Sequence, residues 1–185
     1  MSEPVSALNG ASADGFARIR ETGPLGMISL RCDLSDPLLP DLIKALTGTA
    51  VPAMRRIEVA DTKASGWMSP DEILVILPYK DVSEALVMIA DKLSGSHHLA
   101  VDVSDARAVF RIEGAKADEV LMKLCPVDFT ALGPNELRRT RAAQVAVAFW
   151  RQGDGYTLVS FRSVAGYVMG LLAHSAQEGS DLHLR

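Results

Sequence analysis

Apolar and polar positions along the chain repeat one pattern four times: a strand-like run, then a helical stripe. GMISLRCDL leads to DPLLPDLIKALTG, and DEILVILPYK to DVSEALVMIADKLSG. ARAVFRIEG leads to AKADEVLMKLCP, and DGYTLVSFRS to VAGYVMGLLAHSA. Helical spacing puts Leu39, Leu42, Ile43 and Leu46 on one face. It does the same for Val82, Ala85, Leu86, Ile89 and Leu93, for Val120, Leu121 and Leu124, and for Val164, Val168, Leu171 and Leu172. Further strands are expected over 55–60, 97–104 and 142–150; the last alternates small and large residues, as a sheet buried on one face does. Asp36 before Pro37 resembles an N-cap with proline at the first helical position. Gly48 and Gly95 stand where left-handed helix ends belong.

Two of the pattern units also resemble each other directly. Trp67 to Ala90 aligns without gaps on Trp150 to Ala173, so that Asp71 meets Asp154, Leu86 meets Met169, and Met88-Ile89-Ala90 meets Leu171-Leu172-Ala173. The expected fold class is α+β: two pseudo-symmetric strand–helix halves, with antiparallel or mixed sheets and helices packed on them. Residues 1–23 read as a mobile N-terminal arm, in which Val5 and Leu8 are candidate anchors on a partner. Residues 24–178 form one domain with an internal repeat over about 24–95 and 96–178, and 179–185 are a tail.

Composition changes this picture little. With 48% hydrophobic residues in 185, a sizeable core is available, and a net charge of −4 argues against the basic face that nucleic acids require. No apolar run approaches the roughly 18–20 residues of a membrane span, and the first residues lack the basic and apolar regions of a signal peptide. Cys32 and Cys125 share no short motif, which fits buried, unpaired thiols in a reducing cytoplasm.

Candidate chemistry is sparse. His97-His98 lacks the further ligands of a metal site and reads as a solvated turn. Cys125 falls at a helix C-terminal end, where the dipole does not favour a thiolate. Arg138, Arg139 and Arg141 form the one basic cluster, either an anion grip or a protein contact on a loop. Gly153 and Gly155 read as a hairpin turn; Gly166 and Gly170, four apart on a helix, would let another backbone pack closely. Asp102, Asp105, Glu113 and Asp128 are the acids of the central module, and they read as solvent-facing strand and loop residues.

The stretch VDVSDARAVFRIEGAKADEVLMKLCPVDFTAL resembles the folate-binding aminomethyltransferase superfamily, which includes the glycine-cleavage T protein. Together with WMSPDEILVILP, RTRAAQVAVAFW and YTLVSFRSVAGYVMGLL it is more similar still to the gamma subunits of heterotetrameric sarcosine oxidases, over about residues 25–177. That resemblance implies a complex of alpha, beta, gamma and delta subunits. The complex oxidatively demethylates sarcosine to glycine with hydrogen peroxide, and forms methylenetetrahydrofolate when tetrahydrofolate is present. It implies that FAD, FMN, NAD, zinc and the folate site belong to the partner subunits, and that alpha is the direct contact. No catalytic, cofactor or metal residue is expected in this chain. Where the aminomethyltransferases carry a catalytic aspartate, the sequence has Ala143 and Gln144, neither of which takes a proton as Asp does. Two alternatives stand beside the non-catalytic gamma subunit: a stand-alone folate-binding or aminomethyltransferase-like protein, and a homo-oligomeric interaction module.

Overall fold

A computed structural model describes residues 4–183. The chain forms two compact units, one of Leu25–Ser104 and one of Met1–Pro24 with Asp105–Arg185.

The Leu25–Ser104 unit contains β3 (Gly26–Cys32), α1 (Leu39–Thr47), β4 (Ile57–Ala60), β5 (Lys63–Ser69), β6 (Glu72–Leu77), α2 (Val82–Lys92) and β7 (His98–Asp102). Its sheet runs β4-β5-β6-β3-β7, and every neighbouring pair is antiparallel. Ile28, Leu30, Ile73 and Val75 share a core with Leu39, Leu42, Ile43 and Leu46 of α1 and Val82, Ala85 and Ile89 of α2. Alternate residues of β3 and β6 thus face this core, and the helical stripes of α1 and α2 cover it, although β6 is buried along its whole length. β5 carries a bulge between Trp67 and Ser69, which lets one residue drop out of the ladder.

The other unit contains β1 (Ser12–Ala13), β2 (Arg18–Thr22), β8 (Arg107–Glu113), α3 (Ala117–Met122), β9 (Leu137–Ala142), β10 (Val145–Gln152), β11 (Gly155–Phe161) and α4 (Ala165–Ser175). Its antiparallel sheet runs β1-β2-β8-β11-β10-β9. Phe110, Ile112, Phe149, Tyr156 and Leu158 meet Val120, Leu121, Val168 and Leu172 in the core. Phe129, Phe149 and Tyr156 form a three-ring cluster with centroids 5.5–6.0 Å apart. At Gly155 a side chain is impossible, because a Cβ would lie 1.9 Å from the Ile112 carbonyl oxygen.

The repeat seen in the sequence is structural. The short 3-10 turn Tyr79–Asp81 and α2 recur without insertion as the turn Arg162–Val164 and α4, and β5–β6 recur as β10–β11. Each repeat also opens with a strand, β2 in the first and β7 in the second. These two strands are exchanged: β2 pairs with β8, and β7 pairs with β3. The halves were expected to meet near residues 95 and 96; the compact units change over at residues 24 and 104.

Several expectations are corrected here. The segment expected as a mobile arm belongs to a sheet: Glu21 N donates to Ala11 O (2.8 Å), and β2 continues the ladder beyond β8. Leu8 packs on the core, while Val5 is exposed. The described part of the C-terminal tail is held against α3, through Lys116–Asp181 (3.0 Å) and through Leu182 N, which donates to Glu119; residues 184 and 185 lie outside the described residues. α1 starts at Leu39, not Pro37, because Asp36 instead folds an Asx turn onto Leu38 N (2.8 Å). Gly48 does end α1 in the left-handed conformation, at φ 76°. α2, by contrast, ends at Leu93 with φ −101°, and Gly95 is not left-handed.

Candidate functional site

The arginine cluster lies on a strand, not a loop. β9 is the edge of its sheet, pairing with β10 from Leu137↔Trp150 to Ala142↔Val145. The two-residue periodicity of a strand divides the cluster. Arg138 points to the same face as Thr140 and Ala142. There its guanidinium meets Glu136 at 2.8 Å, and Glu136 also accepts from Gly133 N (2.9 Å). Arg139 and Arg141 share the opposite face and are exposed. A three-arginine grip on one anion is therefore not formed; an exposed pair on an edge strand is. Charge on such an edge also discourages indiscriminate strand pairing.

β9 turns into β10 through Ala143 and Gln144. Ala143 takes a left-handed φ of 48°, and its N–H donates to Leu124 O (2.9 Å). This is the segment that the resemblance aligns with a catalytic acid. It holds no proton-accepting side chain and is used to close a hairpin.

The four acids of the central module are each engaged in interactions. Asp102 Oδ1 accepts from Ser104 N (2.9 Å) and Ser104 Oγ (2.6 Å). Asp128 repeats this with Thr130, and the hydroxyl and backbone donors of Thr130 hold its carboxyl below the usual range. Glu113 is also lowered, first by the hydrogen bond from Arg20 (3.0 Å) and then by the charges of Arg20, Arg111 and Arg18. A general base acting near neutrality needs the opposite shift, so Glu113 and Asp128 are poorly suited to that work. Asp105 is engaged in an interaction of its own.

The remaining candidates resolve similarly. His98 opens β7, and its Nδ1 lies 3.0 Å from Ser96 O, to which it donates; His97 is exposed. Cys125 is buried, and that burial pushes its thiol up to about 12. Cys32 is raised by burial and by Asp36, Asp33 and Asp71. Neither is an activated nucleophile. Gly153 and Asp154 form the β10–β11 turn, with φ 60° at Gly153. Gly166 and Gly170 are exposed on α4 beside Tyr167, and a Cβ added at either would meet no described residue outside the helix's own backbone within 4 Å.

One feature escaped sequence reading. Glu21, 3% exposed, is a buried carboxylate on β2. It accepts from Ser6 Oγ (2.8 Å), Leu8 N (3.0 and 3.1 Å) and Gly10 N (2.9 Å), while Arg162 donates to Val5 O (2.8 Å) and Ser6 O (3.2 Å). These contacts strap the N-terminal segment to its sheet.

No group of three His, Cys, Asp or Glu suited to a metal ion occurs among the described residues. A cavity of about 180 Å³ in the Leu25–Ser104 unit, bordered by Lys63, Asp81, Glu84 and Met88, is smaller than typical ligand pockets of roughly 300–1,000 Å³. Among the described residues, no helix is long and apolar enough to cross a membrane.

Solved structures define the class of fold. The chain superposes with a TM-score of 0.62 on aminomethyltransferase T of the glycine cleavage system from Bartonella henselae, at 11% identity, covering 96% of this chain and 59% of that one. A chain of the heterotetrameric sarcosine oxidase from Corynebacterium sp. U-96, solved with pyrrole 2-carboxylate, gives a TM-score of 0.80 at 24% identity, covering 94% and 91%. The fold is thus an α+β one with antiparallel sheets, shared with the aminomethyltransferase T protein. The chain belongs to the sarcosine oxidase gamma subunit family, whose model matches residues 31–178. It is 30% identical over 116 residues to sarcosine oxidase subunit gamma of Corynebacterium sp. (strain U-96). That match takes in 60% of this chain and spans 56% of the relative's length.

Proposed function

We propose that this chain acts as the non-catalytic gamma subunit of a heterotetrameric sarcosine oxidase. In that complex it stabilises the assembly, through direct contact with alpha, alongside beta and delta. The complex demethylates sarcosine to glycine with oxygen, releases hydrogen peroxide, and passes the methyl carbon to tetrahydrofolate when it is available. FAD, FMN, NAD, zinc and folate are held by the partner subunits, in the cytoplasm.

The observation that carries this reading is the family match over residues 31–178, most of the globular chain. The Ala143–Gln144 hairpin supports it, because it offers no proton acceptor where the aminomethyltransferases use an aspartate. The exposed Arg139 and Arg141 on edge strand β9, and the open face of α4 at Gly166 and Gly170, supply surfaces for a partner. Glycines spaced by four allow a close backbone approach there.

The test is co-expression of the tagged chain with alpha, beta and delta, followed by sarcosine-dependent peroxide assay of the purified complex with and without this chain. The proposal expects co-elution, and a complex that loses stability, not its cofactors, when this chain is omitted. A stand-alone folate protein would instead bind a reduced folate in the absence of the other subunits.

A further inference from the structure

The exchanged strands occupy equivalent places, yet their outer edges differ. The outer edge of β2 is covered by β1, through Ser12↔Arg20 and Ala13↔Ile19, and by the segment strapped to Glu21. The outer edge of β7 has no strand beside it among the described residues, since β7 ends its sheet order. Its side chains are unusually apolar for such a position: Leu99 is 56% and Val101 41% exposed. An exposed apolar edge strand is a template for another strand.

The register shows which backbone groups are offered. Val103 N donates to Met27 O (2.9 Å), continuing the β3–β7 ladder in which Val101 opposes Ser29 and Leu99 opposes Arg31. Antiparallel alternation then turns the N–H and C=O of Leu99 and Val101 toward β3 and those of His98, Ala100 and Asp102 outward. These three outward residues are symmetric about Ala100. If two copies of β7 meet antiparallel on that centre, Ala100 opposes Ala100. His98 opposes Asp102 at both ends, placing a base against an acid, and Leu99 opposes Val101 on the exposed face. A parallel meeting in the same register would set Asp102 against Asp102 and His98 against His98.

We infer that the edge of β7 is a self-association surface, and that in the free chain it is occupied by β7 of a second copy, joining two five-stranded sheets in an isologous antiparallel pair. The inference is independent of the sarcosine oxidase reading. It concerns the chain on its own and stands or falls with the edge.

The test uses the full-length chain in sedimentation equilibrium from about 1 to about 100 μM. Mass rising from 19.8 kDa toward twice that value is expected. L99K, which removes both Leu99–Val101 contacts and adds facing charge, should weaken dimerisation at least about tenfold, or about 1.4 kcal/mol. H98D, which sets two carboxylates opposite each other, should also weaken it, and H98D combined with D102H should recover it. Hydrogen exchange needs no substitution: the Ala100 and Asp102 amides should gain protection as concentration rises. A chain of single mass throughout the range, or a dimer indifferent to L99K and H98D, overturns the inference. So does a β7 edge whose substitution spares self-association and blocks only assembly with alpha, which would make a partner strand the occupant.

Discussion

Replacing Glu21 with alanine tests the N-terminal strap most sharply. The carboxylate serves Ser6 Oγ, Leu8 N and Gly10 N, at 2.8–3.1 Å. A hydrogen bond to a charged group is worth about 1.5–3 kcal/mol, so simple addition over three donors would give roughly 5–9 kcal/mol. That sum overstates the loss. Gly10 is exposed, and Ser6 and Leu8 are half-buried, so all three donors regain water once the segment lifts from its strand. The global loss should therefore stop at about 2–3 kcal/mol, the value at which detachment becomes easier than an unsatisfied bond. Detachment itself is visible locally. In E21A the Leu8 and Gly10 amides should lose protection against hydrogen exchange by at least about thirtyfold, while Phe110 and Val159 on neighbouring strands keep theirs. E21Q should fall between, since its amide retains one acceptor oxygen. Arg162 still holds Val5 O and Ser6 O, and R162A in the E21A background should free the segment further. Unchanged exchange at Leu8 and Gly10 in E21A would refute the strap.

Other outcomes follow from single positions. G155A should destabilise by about 2 kcal/mol or more, because the added Cβ lies 1.9 Å from the Ile112 backbone oxygen; G166A and G170A, with open space around them, should each stabilise the isolated chain by about 0.5–1 kcal/mol in thermal denaturation. If α4 contacts a partner there, the same two substitutions should weaken assembly while stabilising the chain. Glu113, Asp128, Asp71 and Asp36 all sit below their ordinary values in the folded chain. Such carboxylates contribute stability that is fully present above the unfolded pKa near 4 and is lost as pH falls from there through the lower folded values. Melting temperature should thus be flat from about pH 6 to 8 and drop below about pH 4, and E113Q should flatten part of that drop. Cys125, held near 12, should resist alkylation at pH 8 until denaturant is added; rapid native labelling would contradict its burial.

Much of this fold was legible because its side chains obey one rule at a time. α1 shows a pure helical stripe, and Leu39, Leu42, Ile43 and Leu46 are all buried. The repeat was legible because α2 and α4 stand in register without insertion. β2 was hidden because ARIRET carries a buried glutamate where an apolar residue would have announced a strand; only the donors of Ser6, Leu8 and Gly10, distant in sequence, make that burial tolerable. The strand exchange was illegible for a related reason. A repeat in sequence records descent of the chain, whereas pairing partners are chosen by tertiary register, and β2 and β7 carry no mark of which sheet they join. The arginine cluster was visible, but its division was not: reading 138–141 as a loop left Arg138 beside Arg139, where the strand Leu137–Ala142 puts them on opposite faces. Gly95 misled because glycine permits a left-handed helix end without requiring one.

The most direct measurement is size-exclusion chromatography of the tagged chain after co-expression with the alpha, beta and delta candidates. The fractions would be assayed for peroxide formed from sarcosine. Co-elution of all four chains in an active peak is the predicted result, with a less stable assembly when this chain is left out. A tagged chain that elutes apart, while the other three assemble and turn over sarcosine with undiminished stability, would contradict the account.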